Sequence, residues 1–537
     1  MAKRDPLKNV ALGETPQNEA IPGTVANSAG GFSFPVDDWT RLTRFLILGT
    51  EGGTYYISEQ KLTMQNAKAL ENCIKADGVR VVNEIVSISE AGRAARQNPT
   101  LFALAAASQF GDDATRSAAY AAVGRVCRTA TMLFMFLEYR KTLNGGKLNV
   151  GRGLRKALDS WFAREPEKLA LQMVKYRQRE GWTHGDALRQ GHPSDGNNPT
   201  RAAAFRFALG RDDYDQDALP EMIKGYLALS TETKAKSAAK LIREYSLPWE
   251  TVPSNLLNEP EVWKAIFDSN LPLGALIRQL PRLTRLGLVR ELNVAGRLTK
   301  QDEIERARIH PFNVLNALAT YRTGQARSGD GYVPDRVVID ALDEAFYLAF
   351  GNVTPTGKRT LLALDVSGSM GCSTILGSNL TCRDGSAAMS MVTARAESDY
   401  RVVGFTSGSR WDRYGAGLTE LDISPRQRLD DVVKTISRLP FGGTDCALPM
   451  VEALKNKWLI DTFVIYTDSE TWAGNIHPHQ ALVKYRRATG IPARLVVVGM
   501  ASNGFSIADP TDAGEMDVVG FDSAAPELIS SFARGDI

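Results

Sequence analysis

Cysteine is scarce in this chain of 537 residues: Cys73, Cys127, Cys372, Cys382 and Cys446 make an odd set, with no two of them two residues apart. That excludes a disulfide-framed secreted scaffold and a Cys-x-x-Cys zinc or redox site. Cys372 and Cys382 lie near enough to bridge a surface loop, but reduced thiols are the expectation. Histidine is equally sparse. His184 and His192 stand eight apart, and His477 and His479 have no acidic or cysteine companion nearby in sequence, so a histidine metal cluster is not expected. Long hydrophobic runs are missing: those around Met132–Leu137 and Leu495–Met500 fall far short of the roughly 20 residues that cross a bilayer. The start, Met1-Ala2-Lys3-Arg4-Asp5-Pro6, has no apolar stretch after its basic residues. A secretory signal is therefore not expected, and a cytoplasmic chain without membrane contact is. With 43% hydrophobic and 23% charged residues, collagen-like, mucin-like and wholly disordered chains are excluded, and the length calls for two or more domains.

A large excess of either charge is also lacking, since the net charge is only +3. The balance hides a concentration. Residues 355–537 carry 18 basic against 21 acidic side chains, whereas residues 140–211 carry 15 against 6. Positive charge gathered into one segment is the footprint of a polyanionic partner. A solvated helical face explains most short basic runs, but this excess persists over several helices.

Three regions follow from the pattern. Residues 1–30 are polar, with Pro6, Pro16 and Pro22 and no periodicity, and read as a flexible tail. Residues 31–354 are predicted helical nearly throughout from about Asp37 to Phe350, with apolar positions three and four apart, as at Leu154, Leu158, Trp161 and Phe162. Many short helices without strands suggest stacked helix pairs, although no clean repeat period is visible. From 355 to 537 the pattern changes to apolar strands near 359–366, 401–405, 462–467 and 494–498, with helices between them near 385–397, 425–437, 445–456 and 476–489. That alternation predicts an α/β layer with a parallel sheet and a ligand crevice at the carboxyl ends of its strands.

One motif sits at such an end. The strand Arg359–Val366 runs into Ser-Gly-Ser-Met, so Asp365, Ser367 and Ser369 come from one strand tip, and further loops supply Thr444 and Asp468. All five donors are hard oxygens, the donor set Mg²⁺ prefers. Asp-x-Ser-x-Ser, then Thr, then Asp, each after its expected element, is the signature of a metal-ion-dependent adhesion site in a von Willebrand factor A domain. A polar strand-to-loop turn would explain the first piece alone, but not three pieces in register. Catalysis is not supported. Ser367 stands where aspartyl-phosphate chemistry would want a second carboxylate, and neither a Gly-x-Ser-x-Gly elbow nor a phosphate-cradling Gly-rich loop ending in Lys-Ser/Thr is present.

The basic segment offers the candidate nucleic-acid contacts. A helix running through Arg179 places Leu169, Met173 and Tyr176 on an apolar stripe and Gln172, Lys175 and Arg179 on the other face, which has no other evident duty. Arg177 lies in the same stretch, His184, Arg189 and His192 follow Gly181, and Lys141, Arg152 and Lys156 lie upstream. Basic side chains with interleaved His and Trp suit phosphate contacts and base stacking. Trp182 is expected in the core, while His184 fits a capped loop histidine and a ligand-facing one equally.

These residues, with Gly153-Leu154-Arg155-Lys156-Ala157, Lys175-Tyr176-Arg177-Gln178-Arg179, Arg308-Ile309-His310-Pro311-Phe312 and Gly442-Gly443-Thr444-Asp445-Cys446, give the chain a resemblance to the Ro autoantigen family. Its members carry a TROVE module followed by a von Willebrand factor A domain. The resemblance covers nearly the whole chain after residue 30. It implies a ring of HEAT-like helical repeats closed by an A domain, Y-type small noncoding RNA on the outer surface, and single-stranded 3′ ends of misfolded RNA in the central hole. By local motif it assigns Lys175, Arg179 and His192 to the Y RNA site and Asp365, Ser367, Ser369, Thr444 and Asp468 to Mg²⁺. Resemblance to bacterial members adds an exoribonuclease partner. The chain departs from the family at the loop between Met370 and Ser386 and at Ser469, where Asn is expected, and it is shorter after His192. The leading expectation is a non-catalytic RNA-binding scaffold in RNA quality control. The alternative is a Mg²⁺-dependent scaffold that binds a partner's carboxylates.

Overall fold

The computed structural model of the chain describes residues 13–50, 53–54, 58–269, 271–326, 329, 331–351, 353–375, 378–407, 417–439 and 442–537. Helices fill the region from Asp38–Leu48 to Arg336–Leu348, and sequence-local signals start them. Asp37, Ser58, Asp112 and Thr129 each accept a hydrogen bond from a first-turn amide, and Pro opens the helices Pro166–Lys175, Pro199–Ala208, Pro260–Asp268 and Pro311–Arg322. Glu59–Ala91 is two helices joined at a break at Asp77 (φ −159°, ψ 85°), and Gly92, left-handed at φ 71°, ends the second.

Successive helices pack against one another, and arginines stitch them at their carbonyl ends. Arg164 donates to the main-chain oxygens of Arg128 (3.0 Å) and Cys127 (3.3 Å) at the end of the helix Asp113–Val126. Arg201 donates in the same way to Ala163 (3.2 Å) and Arg164 (3.3 Å) at the end of Arg152–Phe162. The array closes on itself. His310 at the start of Pro311–Arg322 bonds through Nε2 to the main-chain oxygen of Arg93 (2.9 Å), just past the end of Glu59–Ala91. Phe521 and Asp522 of the following domain sit at that closure, the first edge-on to Phe312 and the second paired with Arg93. The helical region is thus a ring.

The C-terminal domain has a six-stranded sheet in the order Glu515–Val519, Arg494–Gly499, Thr462–Thr467, Thr360–Asp365, Tyr400–Phe405, Leu418–Leu421, parallel except for the last strand. The four predicted strands are present. The edge strands Leu418–Leu421 and Glu515–Val519 are additional, because neither carries the continuous apolar run of a central strand. Alternate residues face two cores. Leu362, Leu364, Val464 and Val498 join the core that continues into the helical array, and Leu361, Ala363, Ile465 and Val497 face Leu482 and Tyr485. The connections diverge on either side of Thr360–Asp365, so its carboxyl end and that of Thr462–Thr467 flank the switch point where α/β sheets place ligands.

Residues 13–30, expected as part of a flexible tail, instead form an ordered strap with a buried Gln17. Val25–Ala26 pairs with Phe32–Pro35, which pairs in turn with Phe505–Ser506. The strap lacks periodicity because side chain–main chain bonds hold it, and these leave no apolar rhythm. Residues 1–12, Glu51, Gly52, Tyr55 and Tyr56 lie outside the described residues. All five cysteines are free, only Cys372 being exposed. No helix among the described residues is long and apolar enough to cross a membrane.

Candidate metal centre and nucleic-acid interface

The five oxygen donors come from loops around the switch point, all of them buried. Asp365 ends its strand and accepts from the Ser367 amide (2.9 Å) and the Thr467 hydroxyl (2.7 Å). The Ser367 and Ser369 hydroxyls lie 3.1 Å apart. The Gly368 amide donates to the Gly442 main-chain oxygen (3.3 Å), bringing the Thr444 loop alongside. Thr444 Oγ1, Asp468 Oδ2 and Ser469 Oγ are buried without a hydrogen-bond partner. Unsatisfied buried oxygens are costly, and oxygens that converge are what a hard cation takes. Burial raises the proton affinity of Asp365 and Asp468, and the charges of Asp365 and Glu470 raise that of Asp468 further. Glu470 is pushed up to about 7 by burial. Arg383 is near, donating to the main-chain oxygens of Val366 and Ser367. The donor set therefore fits a divalent cation, which Asp365, Ser367, Ser369, Thr444 and Asp468 could hold. Sequence reasoning missed Glu470, Arg383 and Asn503, whose Nδ2 donates to the Asp468 main-chain oxygen (2.7 Å). No spacing in the sequence links them to the motif.

A second acidic cluster forms where none was expected. Nδ1 of His479 lies 2.5 Å from Glu515 and its Nε2 lies 3.5 Å from Asp509, companions that come from remote chain positions. Asp512 beside them pairs with Arg486 (2.6 Å).

The basic segment is rearranged relative to the sequence reading. The helix stops at Lys175 rather than passing through Arg179, since Tyr176 leaves the helical region (φ −116°, ψ 62°), and further on Glu180 and Gly181 both take positive φ (50° and 78°). They form the two-residue turn of a hairpin that pairs Gln178–Arg179 with Trp182–Thr183. Gln172, Lys175 and Arg179 therefore share no helical face. Gln172 accepts from the Ala130 amide (2.9 Å) through its side chain. Lys175 is mostly covered and faces Glu250 (3.7 Å), so its face does have another duty. Arg179 is exposed, beside Glu180 (3.0 Å).

His184 is a core residue. It is 3% exposed, bonds through Nε2 to the Gln172 main-chain oxygen (3.1 Å), and sits among Phe134, Trp161 and Phe162. It cannot face RNA, and burial drives its pKa down to about 4. Trp182 is buried as expected, donating to Glu138 (2.7 Å), which also pairs with the half-buried Lys141 (3.2 Å). Arg189 is exposed but pairs with Asp186 (3.2 Å). His192, exposed and left-handed (φ 47°), ends the helix His184–Gly191. Arg177 is exposed over the Tyr226 ring (5.5 Å). Arg152 and Lys156 are exposed one turn apart on a helix that buries Leu154, Leu158 and Trp161, Arg155 is exposed on the same helix, and Lys168 is exposed on the next.

A closed helical array with an exposed basic segment, joined to an A-type sheet with five buried oxygen donors in the loops at its strand ends, defines the class: a helical-repeat ring coupled to a von Willebrand factor A domain. Family models agree, the TROVE domain matching residues 25–327 and the Ro60 vWA domain matching residues 359–533. The chain is 36% identical to RNA-binding protein RO60 of Caenorhabditis elegans over 593 residues, covering 96% of this chain and 91% of that protein. It is 39% identical to RNA-binding protein RO60 of Deinococcus radiodurans over 534 residues, covering 97% and 98%. The crystal structure of the Deinococcus radiodurans RO (RSR) protein superposes with a TM-score of 0.68 at 38% identity, covering 93% of this chain and all of that one. The chain belongs to the Ro60 family.

Proposed function

We propose that this chain is a non-catalytic RNA-binding scaffold. The observation that carries the reading is the set of exposed cations Arg152, Arg155, Lys156, Lys168, Arg177 and Arg179 within the +9 segment, and relatives named as RNA-binding proteins support it. Phosphate contacts from this surface supply affinity, and RNA shape supplies selection. Structured Y-type RNA binds the outer basic surface, while single-stranded 3′ ends of misfolded RNA enter the ring, in cytoplasmic RNA quality control alongside an exoribonuclease. The test is a titration over several salt concentrations with a structured hairpin RNA, the same duplex with a 3′ tail, and a blunt duplex. Arg152→Ala/Lys156→Ala is expected to weaken hairpin binding and flatten the salt dependence by roughly one unit per lost phosphate contact. Native binding by this variant and by Arg177→Ala/Arg179→Ala at every salt concentration would refute the assignment of the surface.

A second reading concerns the A domain. The buried, unpartnered oxygens of Thr444 and Asp468 favour Mg²⁺ bound by Asp365, Ser367, Ser369, Thr444 and Asp468, with exchangeable positions left for a partner's carboxylate. Isothermal titration with Mg²⁺ is expected to give one site, lost in Thr444→Ala. RNA binding through Lys and Arg is expected to survive chelation, which separates the two activities.

A further inference from the structure

The loop that carries Asp468 runs irregularly to Ile476 before the helix Pro478–Thr489. Within its own domain it is tied to the Thr444 main-chain oxygen by the amides of Trp472 (3.1 Å) and Ala473 (3.0 Å). The strap ties it from the other side. Ser33 Oγ donates to the Ser469 main-chain oxygen (2.9 Å), the Ser28 amide to Glu470 Oε2 (2.8 Å), and Asn27 Nδ2 to the Thr471 main-chain oxygen (2.8 Å). Gln17 accepts from the Thr471 hydroxyl, and its amide donates to the Gly474 main-chain oxygen (2.9 Å). Its Nε2 donates to Ile476 O and Asp445 Oδ1, both at 2.8 Å. His477 Nε2 meets the Glu19 main-chain oxygen at 2.8 Å.

A second brace lies behind the first. Asn503, whose Nδ2 holds the Asp468 main-chain oxygen, accepts from Arg44 Nη1 at its own main-chain oxygen (3.0 Å). Arg44 is buried on the first helix, and its Nη2 grips both oxygens of Asp517 at 2.6 Å. Gln17, Asn27, Ser33, Arg44 and Asn503 are all buried. Ser469, next to the ligand, is held left-handed at φ 61°, a conformation a serine keeps only where its surroundings over-determine it. An irregular loop has many alternative conformations, and aiming one carboxylate requires removing them.

We propose that the strap, through Gln17, Asn27 and Ser33, positions Asp468 for the cation, so that strap docking and cation binding are linked. This rests on the reading of the five oxygens as a cation site. These are positioning residues, since none of them contributes an oxygen to the five. Linkage makes the effect reciprocal: the factor by which the strap raises cation affinity is the factor by which the cation favours strap docking. The strap leads straight into the first helix through the Asp37 cap, so the metal centre is braced by the array as well as by its own domain.

The test uses the full chain and Mn²⁺, with free Mn²⁺ read by electron paramagnetic resonance. Gln17→Ala/Asn27→Ala is expected to bind Mn²⁺ about tenfold more weakly, the lower end of what losing an outer-shell partner does. Asp468→Asn is the comparator in which binding is lost. The double variant should bind hairpin RNA as the native chain does, so that the loss is specific to the metal. A native chain that takes up no Mn²⁺ overturns the cation reading and this proposal together. Native uptake with equal affinity in the variant overturns the proposal alone. Should the variant misfold, hydrogen exchange of the native chain decides: the amides of residues 27–33 are expected to exchange several-fold more slowly in Mg²⁺ than in chelator, and unchanged exchange refutes the linkage.

Discussion

A histidine near a cluster of arginines invites a ligand-binding role, yet the surroundings of His184 decide otherwise. Packed among three aromatic rings and bonded to one main-chain oxygen, it is held neutral, its pKa pushed down to about 4 from 6.5 by burial. His310, wholly buried at the ring closure, is shifted as far for the same reason. The unfolded chain then binds more protons between these values, so stability is complete above pH 6.5 and is lost as pH falls toward 4. Each histidine accounts for about 3 kcal/mol over that window. His184→Gln is expected to flatten the dependence of Tm on pH between 4 and 6.5, and a slope equal to the native one would count against the assignment. His479 works in the opposite sense. Burial lowers its pKa, but the Glu515 hydrogen bond and neighbouring carboxylates outweigh that and raise it, so its contribution is lost as pH rises through the folded value. At the proposed metal centre, the charges of Asp365 and Asp468 oppose each other when no cation lies between them. Asp468→Asn is expected to raise Tm in chelator and to abolish any gain in Tm on adding Mg²⁺. The five candidate oxygens could be picked out from the sequence because their residue types follow a spaced motif. The covered state of Lys175 could not, because Glu250 lies far away in sequence.

At the level of elements, the helices were legible from their apolar spacing and caps, and the four central strands from their apolar runs. The hairpin Gln178–Thr183 was not, since Glu180-Gly181 is a weak form of the Asn-Gly turn signal and the preceding helical periodicity continues past it. The arginine stitches were equally hidden. Arg164 and Arg201 each reach back 37 residues to the end of an earlier helix. This regular spacing is carried by one side chain per unit, too sparse to show as a repeat period. Each satisfies carbonyls that a helix end leaves open and places a cation at the negative end of the helix dipole. Arg201→Met is expected to cost about 1–2 kcal/mol in urea unfolding, more than an exposed ion pair would. A change below about 0.5 kcal/mol would show that water replaces the arginine without loss.

On the scale of the molecule, ring and sheet share one hydrophobic core, and the junctions between them are charged. Asp343 of the helix Arg336–Leu348 accepts from the Leu429 amide (2.8 Å) at the start of Leu429–Ser437, and Arg322 pairs with Asp430 (3.1 Å). Together with Arg44–Asp517 and Arg93–Asp522, these contacts predict one calorimetric transition for the described body of the chain rather than two. Arg44→Met, which takes the guanidinium away from the partly buried Asp517 carboxylate, is expected to lower that transition and to begin separating it. The strap adds a consequence for how the protein is made. Gln17 and Ile476 are 459 residues apart, so one end of this contact leaves the ribosome long before the other. At about 5–20 residues per second the interval is roughly 20–90 s. For that time the nascent strap has a buried-type polar surface and nothing to bury it against. The last step of biogenesis is then the first residues of the fold settling onto the last, which makes the early nascent chain the stage most exposed to chaperones and proteases.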